Sequence, residues 1–457
     1  MKLVFLNHAS FYIETEQSLL LVDPWLEGYS FFNGWSLVDK STSNIKIVEK
    51  ILESKKELYI WYSHEHSDHF SISFLKELTQ KTKNFTILFH DTLDNRVVKF
   101  LNKLNLKVRI CKDGQIYRLD NYLEIVNWAF NEAESFGDAY CLIKVNGINI
   151  LNINDCLIST NKIASRVKRN INRKESLKVD LLFTQFSYAS WIGNPEDKVL
   201  RKTISKQKLD WLRSQYKIFK PSRIIPFASF SSFCHEENFY MNDFSINPKR
   251  LRKIFSKYGN LNNIIKFLKP FDEVSLESKE KTFVDFNEIT EKAEKHWNKL
   301  MKEKVVEHYS RNSNQVSINE LEQQFNHFND LIKENFFYLF HLLELLKILS
   351  PIKIYLLDYD EVISLSFLRG LNILNSNKNW DISFSSDVLL FNLKYEYGFV
   401  TTIVNARFRV SSNKSFYKVK KFFYPQGLYR DGYVIRKPIK LIRKLSLLTI
   451  HLISKLF

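Results

Sequence analysis

The sequence predicts an α/β protein of more than one domain. Its first 160 residues alternate short apolar strands with turns and one clear helix. A helical, Lys/Glu-rich stretch follows from about 275 to 350, and strand-like segments return from 351 to about 410. At 457 residues the chain buries a core of ordinary size without difficulty. Hydrophobic content of 45% with 26% charged residues marks a globular chain and excludes a disordered one.

The strands are read at "KLVFL", "SFYIET", "SLLLVDPW", "ELYIWYS", "FTILFH", "LKVRIC", "YLEIVNWAF", "YCLIKV" and "INILNIND", each a short apolar run bounded by turn residues. Several end in a polar or titratable residue: Asp23, Ser63 with His64, and Asp155. Loops at strand ends are where a rigid sheet presents chemistry. "ISFLKELTQK" has helical spacing, and residues 160 to 220 are more helical and carry a basic run. "RIIPFAS" is a further strand. In the last part, "IKIYLLDY", "DISFSS" and "GFVTTIVNARFRV" read as strands and "DVLLFNLKY" as a helix. The expected domains are therefore 1–270, a helical connector over 271–350, a small α/β unit over 351–430 and a tail over 431–457. Neither repeats nor low-complexity tracts appear.

The net charge of +17 calls for an anionic partner. A phosphorylated small molecule and an anionic membrane surface are the candidates. Nucleic acid ranks last, because no zinc-finger spacing or RNP-type motif accompanies the charge. Part of the lysine count reads as codon bias in a chain rich in Phe, Tyr, Asn, Lys and Ile. Cys111, Cys141, Cys156 and Cys234 lack CxxC spacing and resemble a reduced cytoplasmic inventory. The N-terminus reads as a first strand, not a signal peptide, and no apolar run is long enough to span a membrane. The tail carries Arg436, Lys437, Lys440, Arg443, Lys444 and Lys455, no acid after Asp431, and leucines and isoleucines at helical spacing. It is expected either to touch the inner face of the membrane as a basic amphipathic helix or to dock on the protein's own surface.

"WYSHEHSDHF" concentrates His64, His66 and His69 with Asp68 directly behind an apolar strand. Imidazoles suit zinc and iron, and a carboxylate compensates charge. Such a cluster at a strand end reads as a ligand set for one or two divalent ions. No G-x-G-x-x-G, phosphate-loop or G-x-S-x-G fingerprint competes with it.

H-x-H-x-D-H after a strand resembles the signature of the metallo-β-lactamase superfamily, which implies an αββα sandwich. That fold would carry the helical segment and the small C-terminal α/β unit as additions. "LLLVDPW", "ILNINDC" and "IIPFASFSSFCHEENF" resemble later motifs of that superfamily. The resemblance implies Asp155 as a bridging ligand, His235 as a terminal one, Asp23 as a group orienting a ligand, and His8 as a pocket or supporting residue. "LLVDPWLEGYSFFNGWSL", "PFASFSSFCHEENFY" and "SSDVLLFNLKYEYGFVTTIVNARF" look closest to the CMP-N-acetylneuraminate and UDP-N-acetylmuramate hydroxylase branch. Such enzymes turn an N-acetyl group on a nucleotide sugar into N-glycolyl, with dioxygen and iron fed by a Rieske cluster.

Two departures from that pattern stand out. None of the four cysteines is followed by histidine at Rieske spacing, so the expectation is no internal cluster and a separate electron-transfer protein. The segment "NWAFNEAESFGDAYCLIKV" lacks the histidine that completes the first site, leaving Glu134 and Asp138 as carboxylate substitutes. Two histidines and a carboxylate suit Fe(II). The basic run with Arg166, Lys168, Arg169 and Arg173 is a candidate grip for a substrate diphosphate.

The expected activity is iron-dependent hydroxylation of an N-acyl group on a nucleotide-linked amino sugar, in glycan or cell-wall precursor metabolism. The alternatives are a zinc or manganese hydrolase of a phosphodiester, lactone or amide, with Asp68 as general base when one metal is missing, and a non-catalytic membrane-associated scaffold.

Overall fold

Alternation along each strand gives the first sheet two apolar faces. In Lys2–Asn7, Leu3 and Phe5 enter one core while Val4 and Leu6 enter another, as the two-residue period requires. The computed structural model describes residues 1–435 apart from 93–94, 131–136, 174–175, 259, 305, 308–314 and 375–378. The chain forms two compact units. The first comprises 1–189, 197–234 and 241–305; the second comprises 190–196, 235–240 and the chain from 306 onward.

Two sheets make up the body of the first unit. One runs in the order Glu273–Ser275, Lys2–Asn7, Ser10–Glu14, Ser18–Val22, Glu57–Trp61, Phe85–His90, Lys107–Cys111. Its first four strands are antiparallel neighbours and its last four run parallel. The other runs Arg223–Phe227, Leu181–Gln185, Ile148–Asn154, Asp138–Val145, Leu123–Phe130, Ile116–Arg118. Phe11 stacks on Phe183 between the sheets at 4.8 Å. The Trp61 indole donates across to Asn127 Oδ1 at 3.0 Å, so its buried N–H is satisfied.

Helices Asn44–Glu53, Ile72–Lys81 and Arg96–Lys103 cover the outer face of the first sheet through Ile47, Phe74, Leu78 and Leu101. Ser71 caps the second of these by accepting from Phe74 N–H. Asn161–Ile171 and Lys198–Phe219 add Ala164, Val167, Leu209 and Leu212 to the cluster that holds the second sheet. The strand Leu181–Gln185 lies inside a stretch the sequence presents as helical. Flanking helices and a lack of alternation conceal it, since a fully buried parallel strand is a continuous apolar run.

The helices of 271–350 do not form a body of their own. Lys279–Lys302 belongs to the first unit, where Trp297 stacks on Phe230 at 3.8 Å. Ile318–Phe336 and Leu339–Leu345 belong to the second. That unit carries a five-stranded sheet ordered Gly370–Leu374, Glu361–Ser366, Ile352–Leu356, Ile382–Phe384, Arg409–Val410.

"GFVTTIVNARFRV", expected as a strand, is mostly the helix Gly398–Asn405, with strand only at Arg409–Val410. Its buried residues Phe399, Thr402 and Asn405 recur every three positions, so tertiary burial overrides the β-branched composition. Gly398 allows this: a Cβ there would stand 2.6 Å from Asn392 Cα and Phe391 O. Gly398→Ala is therefore expected to destabilise the protein by about 1–3 kcal/mol, the usual cost of overpacking, as measured by urea unfolding.

Candidate metal centre

Val22 and Trp61 sit opposite each other on neighbouring parallel strands, so both chains emerge at the same sheet edge. Asp23 N–H donates to Trp61 O at 3.1 Å. The Asp23 carboxylate is fully buried and accepts from Ser63 N–H at 2.8 Å, from Ser63 Oγ at 2.7 Å and from His69 Nδ1 at 3.1 Å. Asn154 Nδ2, at the end of the strand Ile148–Asn154 in the other sheet, donates to it as well. Asp23 thereby joins both sheet edges and fixes the His69 ring, turning Nε2 away from itself.

His64 is set by the same network. Ser63 Oγ gives its single proton to Asp23, so it accepts from His64 Nδ1 at 2.8 Å. The His64 Nε2 lone pair then faces His66 Nδ1 at 2.9 Å. Asp68 Oδ2 lies 3.4 Å from His69 Nε2 and 3.3 Å from His8 Nε2, and Asp155 Oδ2 lies 3.4 Å from His69 Nε2. Three overlapping triads result, each with ligand atoms within 4.8 Å of one another: His64, His66, Asp68; His64, His69, Asp155; and His8, Asp68, His69.

These groups fit a cation. His8 Nδ1 and Nε2, Asp68 Oδ1 and His69 Nε2 are buried with no hydrogen-bond partner among the described residues, an arrangement that costs stability unless something compensates it. Burial, with His69 and His66 nearby, pushes the His64 imidazole well below its ordinary range. Burial lowers His66 too. Burial alone would raise Asp68, but His69 and His8 outweigh it and hold the carboxyl well below the usual range. The buried His69 would lose its charge, yet Asp68, Asp155 and Asp23 pull it well above the normal value. The surroundings of His69 Nε2 thus ask for positive charge, which a metal ion bound there would supply in place of a proton.

His8 is closer to the chemistry than a pocket role implies, because its Nε2 completes a triad. Its backbone has φ of 39°, rare for a non-glycine residue. Asp138 is half-buried at the start of its strand and is not one of the converging groups. Burial, then Asp155, pushes its carboxyl up to about 7. Glu134 lies outside the described residues. His235 begins the segment 235–240 of the second unit; it is buried, its Nδ1 accepts from Glu237 N–H at 3.2 Å, and it is in none of the triads. Lys168 donates to Ile218 O at 2.7 Å, which ties it to the end of the neighbouring helix. Arg166, Arg169 and Arg173 are exposed.

Gln185 and Lys208 are functional candidates that sequence reasoning missed. Gln185 Nε2 donates to Asp155 Oδ1 at 3.2 Å, and Lys208 Nζ donates to Gln185 Oε1 at 2.7 Å. Burial lowers Lys208 to about 8. The available signal was a polar residue closing the apolar run "LLFTQ".

Layers, strand order and the place of the H-x-H-x-D-H loop agree. The first unit has the metallo-β-lactamase fold. No protein-family profile matches the chain. In sequence it is similar to the cytidine monophosphate-N-acetylneuraminic acid hydroxylase of Danio rerio, 23% identical over 275 residues, 56% of this chain and 43% of that protein. It is 26% identical over 162 residues to that of Cricetulus griseus, covering 34% of this chain and 27% of that one. A Homo sapiens relative, named as inactive, is 23% identical over 275 residues, 57% of this chain and 51% of its own length. The chain spans about half the length, or less, of these curated relatives. Among solved structures, CmlA, a diiron beta-hydroxylase from Streptomyces venezuelae, is similar with a TM-score of 0.38 and 15% identity, over 60% of this chain and 54% of that one.

Two outcomes are expected of this centre. Zinc or iron(II) at a hundred times its Kd stabilises the chain by about 2.7 kcal/mol in thermal unfolding, and His64→Ala removes that gain. In metal-free protein, the folded-state value of Asp138 lies above its unfolded value near 4. The group therefore costs nothing below about pH 4, and stability is lost as pH rises from there through 7. Urea midpoints of Asp138→Asn should fall less over that window than those of the parent.

Proposed function

We propose that the chain is a metal-dependent enzyme that hydroxylates an N-acyl group on a nucleotide-linked amino sugar, drawing electrons from a separate protein. The observation that carries the metal part is the convergence of His8, His64, His66, Asp68, His69 and Asp155 around buried nitrogen and oxygen atoms that have no hydrogen-bond partner among the described residues. The direction of the reaction rests on sequence likeness to the CMP-N-acetylneuraminic acid hydroxylases.

His64, His66 and His69 would hold the metal through neutral ring nitrogens, and Asp68 and Asp155 would balance its charge. Bound iron would supply the oxygen chemistry. Asp23 keeps His69 in one tautomer, and Gln185 keeps Asp155 in one rotamer. The net charge of +17 steers an anionic sugar nucleotide toward the chain. A second reading, a zinc or manganese hydrolase, would use the same imidazoles and carboxylates, with Asp68 as general base.

The test supplies iron-loaded chain, a reductase system and nucleotide-linked N-acetylamino sugars. The expected outcome is dioxygen consumption matched by gain of one oxygen atom on the acyl group, and loss of both in Asp155→Ala. Zinc-supported hydrolysis without dioxygen uptake would replace this reading with the second.

A further inference from the structure

The helix Lys198–Phe219 carries lysines at 198, 202, 206, 208 and 217. Four of them are exposed, as on an ordinary solvated basic face. Lys208 is half-buried instead, and its Nζ donates to Gln185 Oε1 at 2.7 Å. The ammonium also lies 4.5 Å from the centre of the Trp211 ring. Asp155 is the carboxylate whose field acts on it, and the Gln185 side chain bridges the two.

The same helix is braced against the strand that Gln185 ends. Gln215 lies seven residues beyond Lys208, on the same helix face. It accepts from Thr184 Oγ1 at 2.9 Å, and its Nε2 donates to Ile158 O at 3.2 Å, three residues past Asp155. Lys208 therefore reaches Gln185 from a helix tied both to the strand Leu181–Gln185 and to the turn that follows Asp155.

Hydrogen-bond polarity gives this contact its consequence. A glutamine amide has an oxygen that only accepts and a nitrogen that only donates. Gln185 Nε2 meets two acceptors, Asp155 Oδ1 at 3.2 Å and Ala228 O at 3.5 Å. Gln185 Oε1 meets an ammonium, which has donors and no acceptor. Turned over, the amide would set its oxygen against both acceptors and its nitrogen against a cation. The charge on Lys208 also polarises the amide and strengthens the hydrogen bond that Nε2 gives to Asp155. With Oδ1 engaged in this way, Asp155 keeps Oδ2 beside His69 Nε2, 3.4 Å away.

We propose that Lys208 is a positioning residue of the metal centre: through Gln185 it holds the Asp155 carboxylate in the orientation that ligates the ion. Lys208 acts at one remove from the ligands, and the proposal rests on the reading of Asp155 as one of them.

Competitive titration of the full, metal-free chain with zinc against a chromophoric chelator at pH 7 tests it. Lys208→Met keeps the length of the stem and is expected to lower zinc affinity about tenfold, the low end of what loss of a supporting residue costs. Lys208→Glu, which sets an acceptor against Gln185 Oε1, should lower it further. Lys208→Arg keeps a charged donor and should recover the parent affinity. The visible spectrum of the cobalt(II)-loaded chain reports ligand geometry, and it should shift in Lys208→Met and return in Lys208→Arg. Unchanged thermal midpoints of the metal-free variants verify folding. Two results overturn the proposal: affinity and spectrum unchanged in folded Lys208→Met while Asp155→Ala loses affinity, or a loss that Lys208→Arg does not recover. A parent chain that takes up neither metal, or parent affinity in Asp155→Ala, would overturn the ligand reading and this proposal with it.

Discussion

The buried carboxylate of Asp23 is the constraint on which the first unit's chemistry depends. Its two oxygens take donors from Ser63, His69 and Asn154. Ser63 and His69 follow a strand of the first sheet and Asn154 ends a strand of the second, so a single charge ties the edges of both sheets. A buried ion without such partners would be costly. With them, the carboxylate becomes the fixed reference for the histidine loop. The positive φ of Asp23, at 38°, shows how firmly the surrounding contacts impose that position.

Protonation follows from the geometry. Ser63 relays Asp23's demand for protons to His64, and Asp23 acts directly on His69. Two ring nitrogens are thereby aimed away from the carboxylate, that of His64 toward His66 and that of His69 toward Asp68 and Asp155. Those acids are too close to His69 Nε2 for the space between them to remain without positive charge. Gln185 then holds Asp155 from behind, with Lys208 beyond it. The result is rigid imidazoles and carboxylates on strand ends, a mounting suited to a preorganised centre.

Much of this was legible in the sequence because it depends on short-range pattern. Apolar runs ending in Asp23, His64 and Asp155 located three strand ends of the site, and the H-x-H-x-D-H spacing located the loop. What escaped depended on packing between distant segments. Gln185 ends a buried parallel strand that carries no alternation, and Lys208 sits on a long basic helix whose sequence resembles any solvated face. His8 looked like a supporting residue because only the hairpin's geometry brings it to Asp68. "GFVTTIVNARF" read as a strand because β-branched content obscured the three-residue burial period of a helix packed closely at Gly398. The inward Glu344 and outward leucines of Leu339–Leu345 likewise invert what composition alone suggests.

The central claim is that Asp23 organises the proposed metal ligands without being one. Calorimetric titration of Asp23→Asn with iron(II) or zinc tests this most directly, with circular dichroism and the thermal midpoint checking that the fold is kept. The account predicts metal affinity lowered about 10- to 100-fold in a folded protein, the usual effect of removing a carboxylate behind a ligating histidine. Affinity equal to that of the parent chain would contradict it.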